Sequence, residues 1–132
     1  MFDIVEKYQK SLEDLVDIKN RRELAFDFIM QNCRGKFTMS DGRSVLISRM
    51  TADKYTNKAY DIKLKIVPNL IKFLHTCKFI NIVSVIHDEF AKFAYYDVYF
   101  YVDEKRYKAT INIGIRTNGE SILYDINPIQ LQ

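Results

Sequence analysis

The chain has 132 residues, a length typical of one domain and sufficient to bury about two-thirds of the unfolded surface without a metal or disulfide staple. Its 48% hydrophobic and 28% charged content is ordinary for a globular protein and argues against disorder. No apolar run approaches the roughly 18 residues a membrane span requires, and charges run through residues 1–20, which excludes a signal peptide.

The expectation is therefore a soluble, cytoplasmic single domain over 1–132, with no membrane partner. Its parts are a helical stretch (1–34), a basic hairpin with helices (36–78) and an antiparallel sheet (95–128). Cys33 and Cys77, the only two cysteines, give no disulfide framework. Buried free thiols in a reducing compartment are expected. A zinc site would need both of them to converge with His75 and His87, so no metal or cofactor is expected.

The net charge of +3 is unevenly spread. Residues 1–33 hold five Lys/Arg against seven Asp/Glu, residues 34–78 ten against three, and residues 79–132 five against seven. A basic block between acidic flanks suggests a surface for an anionic partner, phosphate first. Charged faces are also simply solvated, and for any single lysine that is the plainer reading.

In chain order, Val5, Tyr8, Leu12 and Leu15 recur at helical spacing. Asn20 and Glu23 read as a capping box opening a second helical stretch with Leu24, Phe28 and Ile29, ended by Gly35. Lys36–Met39 and Ser44–Ile47 flank Asp41-Gly42 as a hairpin. Thr51 is placed as the cap of a short helix through Asp53, Lys54 and Tyr55. Ile62, Ile66, Leu70 and Leu74 mark a further helix that Pro68 kinks or divides. Residues 79–94 fit neither pattern cleanly.

Three alternating runs follow: Tyr95–Val102, Tyr107–Arg116 and Ser121–Ile126. With two-residue loops at Glu104-Lys105 and Asn118-Gly119, Val102 faces Tyr107, Phe100 faces Ala109 and Val98 faces Ile111. Across the second turn Ile115 faces Ile122, Ile113 faces Tyr124 and Ile111 faces Ile126. The buried face then collects Tyr96, Val98, Ile111, Ile113, Ile122, Tyr124 and Ile126. The open face shows Tyr95, Tyr99, Tyr101, Lys108, Thr110, Asn112, Arg116, Ser121 and Leu123. The fold class is α+β: N-terminal helices packed on a C-terminal three- or four-stranded antiparallel sheet. Tyrosines beside basic and amide groups suit stacking of single-stranded RNA bases, although tyrosine also simply favours strands.

The four glycines form no phosphate-cradling loop. Cys77 and His75, two positions apart on a helix, point in different directions. What is left is metal-free acid–base chemistry of the kind that cuts RNA through its own 2′-hydroxyl. The candidate groups are His87, several Lys/Arg, and the hydroxyls of Thr51, Tyr99 and Tyr124. His87 lies in the polar run His87-Asp88-Glu89 before the sheet, whereas His75 sits among apolar residues and reads as packing.

The stretch Ser48-Arg49-Met50-Thr51-Ala52-Asp53-Lys54-Tyr55-Thr56-Asn57-Lys58, with His87, Tyr95-Tyr96, Tyr107 and the ending Leu123-Tyr124-Asp125-Ile126, resembles segments of phage-associated and polymorphic-toxin nucleases. These belong to the barnase–EndoU–colicin–RelE superfamily of small metal-independent ribonucleases. The resemblance covers residues 44–128. It implies an endoribonuclease in which His87 does acid–base work, Lys54 and Lys58 hold phosphate, and Thr51 supplies a supporting hydroxyl. Tyr124 completes the candidate catalytic set, and Arg49, Lys58, Tyr99, Tyr101, Lys108, Asn112 and Arg116 are the candidate substrate contacts. The implied partners are RNA and a cognate immunity or antitoxin inhibitor. Such relatives are often C-terminal modules of longer proteins, and a chain opening on Met1 fits a free-standing protein or an excised module. The alternative reading is a non-catalytic module that binds RNA or another protein.

Overall fold

The computed structural model describes residues 2–132. Helices α1 (Phe2–Asp14) and α2 (Ile18–Asn32) open the chain. Tyr8 and Leu12 are buried on the inner stripe of α1, and the Tyr8 hydroxyl donates to the Leu64 carbonyl at 2.6 Å. The cap of α2 is Asp17, whose carboxylate accepts the Lys19 N–H at 2.8 Å. Asn20 and Glu23, expected to form a capping box, instead lie inside the helix, past the free N–H groups that need a cap.

Strands β1 (Gly35–Thr38) and β2 (Ser44–Ile47) form the expected hairpin. Then come α3 (Arg49–Thr56), α4 (Asp61–Lys65), a 3₁₀ turn at Val67–Asn69 and α5 (Leu70–Thr76). Pro68 divides the expected long helix into these pieces, because its nitrogen cannot continue the hydrogen-bond ladder. The cap of α3 is Ser48, and Thr51 lies three residues inside, its Oγ1 accepting the Ser48 N–H at 3.1 Å.

The sheet is larger than expected. Strands β3 (Lys78–Ser84), β4 (Lys92–Val102), β5 (Lys105–Ile115) and β6 (Ser121–Leu131) join the hairpin in a six-stranded sheet ordered β1-β2-β6-β5-β4-β3. It is mixed, since β2 runs parallel to β6 at Leu46↔Ile122. A parallel neighbour needs a long crossover, and residues 49–76 with α3–α5 supply part of it. β3 comes from the stretch whose sequence pattern was ambiguous. As an edge strand it is exposed on both faces and so carries no alternation.

Both turns of the β4–β6 meander differ from the expected loops. The first is Asp103-Glu104, both at positive φ, so Val102 faces Lys105, Val98 faces Ala109 and Tyr96 faces Ile111. That shift is even, and the two faces of β4 and β5 survive it. The second loop has three residues, Thr117 to Gly119, closed by Arg116 N–H to Glu120 O at 2.9 Å, with Gly119 at φ +88°. This odd shift sends Ser121 and Leu123 inward and puts Ile122 and Tyr124 on the other face, reversing their expected places. A bulge at Tyr124 then restores the expected pairing of Ile111 with Ile126.

Helices and sheet enclose one large core that includes Leu12, Ile29, Tyr55, Leu70, Ile111 and Leu123. A smaller cluster of Phe90, Phe93 and Ile122 packs with Leu46, Met50, Val85, Tyr95 and Tyr124. The hairpin tip is tied across the molecule: the Tyr96 hydroxyl donates to Asp41 at 2.7 Å and accepts from Arg43 Nε at 3.0 Å. Burial, then the Asp41 hydrogen bond, push that hydroxyl up to about 12. Cys33 and Cys77 are buried free thiols. Among the described residues no helix is long and apolar enough to cross a membrane.

Ile111 is fully buried between Tyr96 and Ile126. Ile111→Ala should cost about 2–5 kcal/mol, as for other large-to-small core changes. Chemical denaturation of the two proteins measures this directly.

Candidate functional site

A cleft of about 960 Å³ opens where α2, α3, the 85–91 loop and β6 meet. Each element delivers side chains for a local reason. The exposed side of α3 carries Arg49, Asp53 and Lys54, because Ala52, Tyr55 and Thr56 face the core. Asn57 ends α3, and Lys58 follows at φ +58°. That left-handed position usually takes glycine, so a lysine is held there against a backbone preference. α2 contributes Lys19, Arg22, Glu23 and Phe26. Five cations and three carboxylates (Glu23, Asp53, Glu89) therefore line the cleft.

His87 stands on an aromatic base. Its ring lies 5.2 Å from Phe90, 5.7 Å from Phe93 and 5.7 Å from Tyr124, centroid to centroid. Phe90 in turn lies over Gly114: a Cβ at that glycine would sit 2.7 Å from the Phe90 ring. Close approach of ring to backbone is what the glycine permits. The Glu89 N–H donates to His87 Nδ1 at 3.0 Å. The neutral ring then carries its proton on Nε2. Lys54 Nζ lies 5.2 Å from the centre of the Tyr124 ring, and the Arg49 guanidinium 5.6 Å from that of Phe26. Both are cation–π contacts that keep the charge facing solvent.

Residues 16–124 match the family described as large polyvalent protein-associated domain 3. The chain belongs to that family. No curated protein and no solved structure matches it. The family assignment supplies no link to the barnase–EndoU–colicin–RelE superfamily.

Of the residues singled out in this family member's sequence, His87, Lys54, Lys58, Arg49 and Tyr124 converge on the cleft. Thr51 does not. It is fully buried, and its hydroxyl donates to the Leu123 carbonyl at 2.6 Å, so it fastens α3 to β6 rather than meeting a ligand. The sheet residues also lie outside the cleft lining. Tyr101 is exposed, Tyr99 is exposed with the Arg106 guanidinium 4.6 Å from its ring, and Lys108 pairs with Asp97 at 3.4 Å. Asn112 donates to the Asn127 carbonyl at 3.3 Å, and Arg116 pairs with Glu120 and, at 3.7 Å, with Glu89. His75, expected to pack, is instead exposed near the end of α5, with Nδ1 2.8 Å from the Thr38 carbonyl of β1.

Sequence reading missed Lys19, Arg22, Glu23 and Glu89. The first three sit in a helix whose net charge is unremarkable, and only their shared face with α3 reveals them. Glu89 was visible as the neighbour of His87 in one polar run.

Beneath the cleft, Lys63 and Asp125 form a buried ion pair at 2.7 Å, with Lys63 Nζ 4.7 Å from the centre of the Tyr55 ring. Burial pulls the lysine below its ordinary range, while the Asp125 carboxylate opposes that. The pair pins α4 to β6, and removing one partner of such a pair typically costs about 3–5 kcal/mol.

Gly114→Ala should force Phe90 off β5 and carry His87 with it. The expected outcome is intact far-UV circular dichroism with displaced His87 ring resonances in NMR. Unmoved resonances would show that Gly114 does not set the histidine.

Proposed function

We propose that the cleft binds RNA and cleaves it without a metal, through the 2′-hydroxyl of the substrate. The observation that supports this is the meeting of His87, from the loop after β3, with Arg49, Lys54 and Lys58, from α3 and its end, around one open cleft. In such a reaction a base takes the 2′-hydroxyl proton, that oxygen attacks phosphorus, and an acid protonates the departing 5′ oxygen. Glu89 is suited to be the base, and His87, protonated and released from the Glu89 amide, the acid. Lys54, Lys58 and Arg49 would stabilise the charge on the phosphorane oxygens, and Tyr124 would set the height of the imidazole and Lys54. A cognate inhibitor protein would meet the same basic surface.

A second reading is a cleft that binds RNA or an acidic protein without cutting. It draws on the Glu89 N–H that already occupies His87 Nδ1 and on the Arg49–Asp53 pair at 3.9 Å. Incubation with total RNA in EDTA, followed by end-group analysis, separates the two. Cleavage products ending in 2′,3′-cyclic phosphate support the first reading, and intact RNA from well-folded protein supports the second.

His87→Ala should lower cleavage on the order of 10²–10⁴-fold, the usual worth of a general acid–base group, with fold and RNA affinity nearly unchanged. Full activity in the variant would remove His87 from the mechanism.

Lys58 gives a test that separates binding from folding. Lys58→Gly should raise stability by about 0.5–1 kcal/mol by relieving the left-handed backbone. The same variant should reduce the slope of log affinity against log salt by roughly 0.7, one single-strand phosphate contact. A stabilised variant with an unchanged slope would place Lys58 outside the RNA contact.

A further inference from the structure

The β3 edge of the sheet is guarded only by the irregularity at Ile80. Natural edge strands are shielded by proline, central lysines, shortness, bulges or a covering element. β1, at the other edge, is four residues long and carries Lys36. β3 is seven residues long, Lys-Phe-Ile-Asn-Ile-Val-Ser, with its only charge at the first position. Its Phe79, Ile80, Ile82 and Val83 are each between 37% and 49% exposed, and Ile86 just beyond is fully exposed. The irregularity in its pairing with β4 falls at Ile80, and Asn81 to Ser84 run regularly against Tyr95 to Lys92.

We propose that β3 pairs antiparallel with β3 of a second copy of this chain, extending the sheet across a two-fold axis at Ile82. In that register Ile82 meets Ile82, Asn81 meets Val83, and Ile80 meets Ser84. No like charges oppose each other, because the two Lys78 residues lie at opposite ends of the pair. The same register sets Ile86 of each copy opposite Lys78 of the other. Lys78 lines a depression of about 540 Å³ together with Thr76, Ile80, Asp97, Val98 and Tyr99. The most exposed apolar side chain of one copy thus meets the Ile80, Val98 and Tyr99 side of a mixed notch on the other, and the two-fold axis repeats the contact.

The area suits a small interface. The exposed parts of Phe79, Ile80, Ile82, Val83, Ile86 and Tyr99 amount to at most roughly 600 Å² per copy, at the low end of the range for specific interfaces. Backbone hydrogen bonds along the edge give affinity, and the two-fold axis at Ile82, with the two lysines kept at opposite ends, sets the register.

Sedimentation velocity over a concentration series tests this. The wild-type chain should be a dimer. Ile82→Lys and Ile82→Glu should each be monomeric with unchanged circular dichroism, and mixing them should restore a heterodimer. Ile86→Lys, at a site with no fold contacts to lose, should weaken dimerisation at least about tenfold, and it keeps the test open if the Ile82 variants misfold. A wild-type chain that stays monomeric overturns the proposal, including one that stays monomeric while taking up an extended apolar peptide at β3. A dimer indifferent to all three substitutions also overturns it.

Discussion

The arrangement around the cleft depends on the turn into β6 and on one extra residue within that strand. Between the pairs Ile113↔Leu123 and Asn112↔Asp125, Tyr124 has no partner. A bulge of this kind re-aims side chains by opposing two residues to one. The three-residue turn before it has already put Leu123 in the core, where its carbonyl accepts from Thr51, and the Tyr124 ring on the other side, in contact with His87 and Lys54. The bulge then turns Asp125 to Lys63 and returns Ile126 to the core. Turn and bulge together anchor α3, anchor α4 and supply the floor between a histidine and a lysine.

Much of the fold was legible in the sequence, and the misses share a cause. Helical spacing found the stripe of α1, and Pro68 announced a break. Asp41-Gly42 and Asn118-Gly119 announced turns, but not their length. Both are three-residue loops in which glycine takes the positive φ and the preceding side chain accepts the N–H that follows: Asp41 from Arg43, Asn118 from Glu120. The same dipeptides also favour two-residue loops, and no local signal separates the two. The true two-residue loop, Asp103-Glu104, contains no glycine at all. Alternation then decided which errors mattered. An even shift left the faces of β4 and β5 intact, whereas the odd shift at the β5–β6 turn exchanged Leu123 with Tyr124.

Charge was less legible, because a block along the chain is not a surface. Of the ten Lys/Arg in residues 34–78, Arg49, Lys54 and Lys58 reach the cleft. Lys63 is buried against Asp125, Arg43 is bound to Tyr96 and Ser121, and Lys65 pairs with Asp103. The cleft recovers positive charge from Lys19 and Arg22, in a stretch that reads as acidic in total. Arg22 also donates from Nε to the Ala59 carbonyl at 2.8 Å, so it braces the loop after α3 as well as facing the opening.

The tyrosine-bearing sheet face turned out to be two surfaces. At one end Phe90 covers it, packed on Phe93 and Tyr124 of the sheet, and His87 stands on that cluster. At the other end Tyr99 and Tyr101 stay open, beside the first residues of β3. Gly114 decides where the division falls, because only a missing Cβ lets the Phe90 ring lie flat on β5. The exposed tyrosines and His87 are thus held toward opposite ends of the sheet face rather than gathered on one platform. The cleft is lined chiefly from α2 and α3, and Tyr99 and Tyr101 lie outside that lining because the cover at the Phe90 end stops short of them.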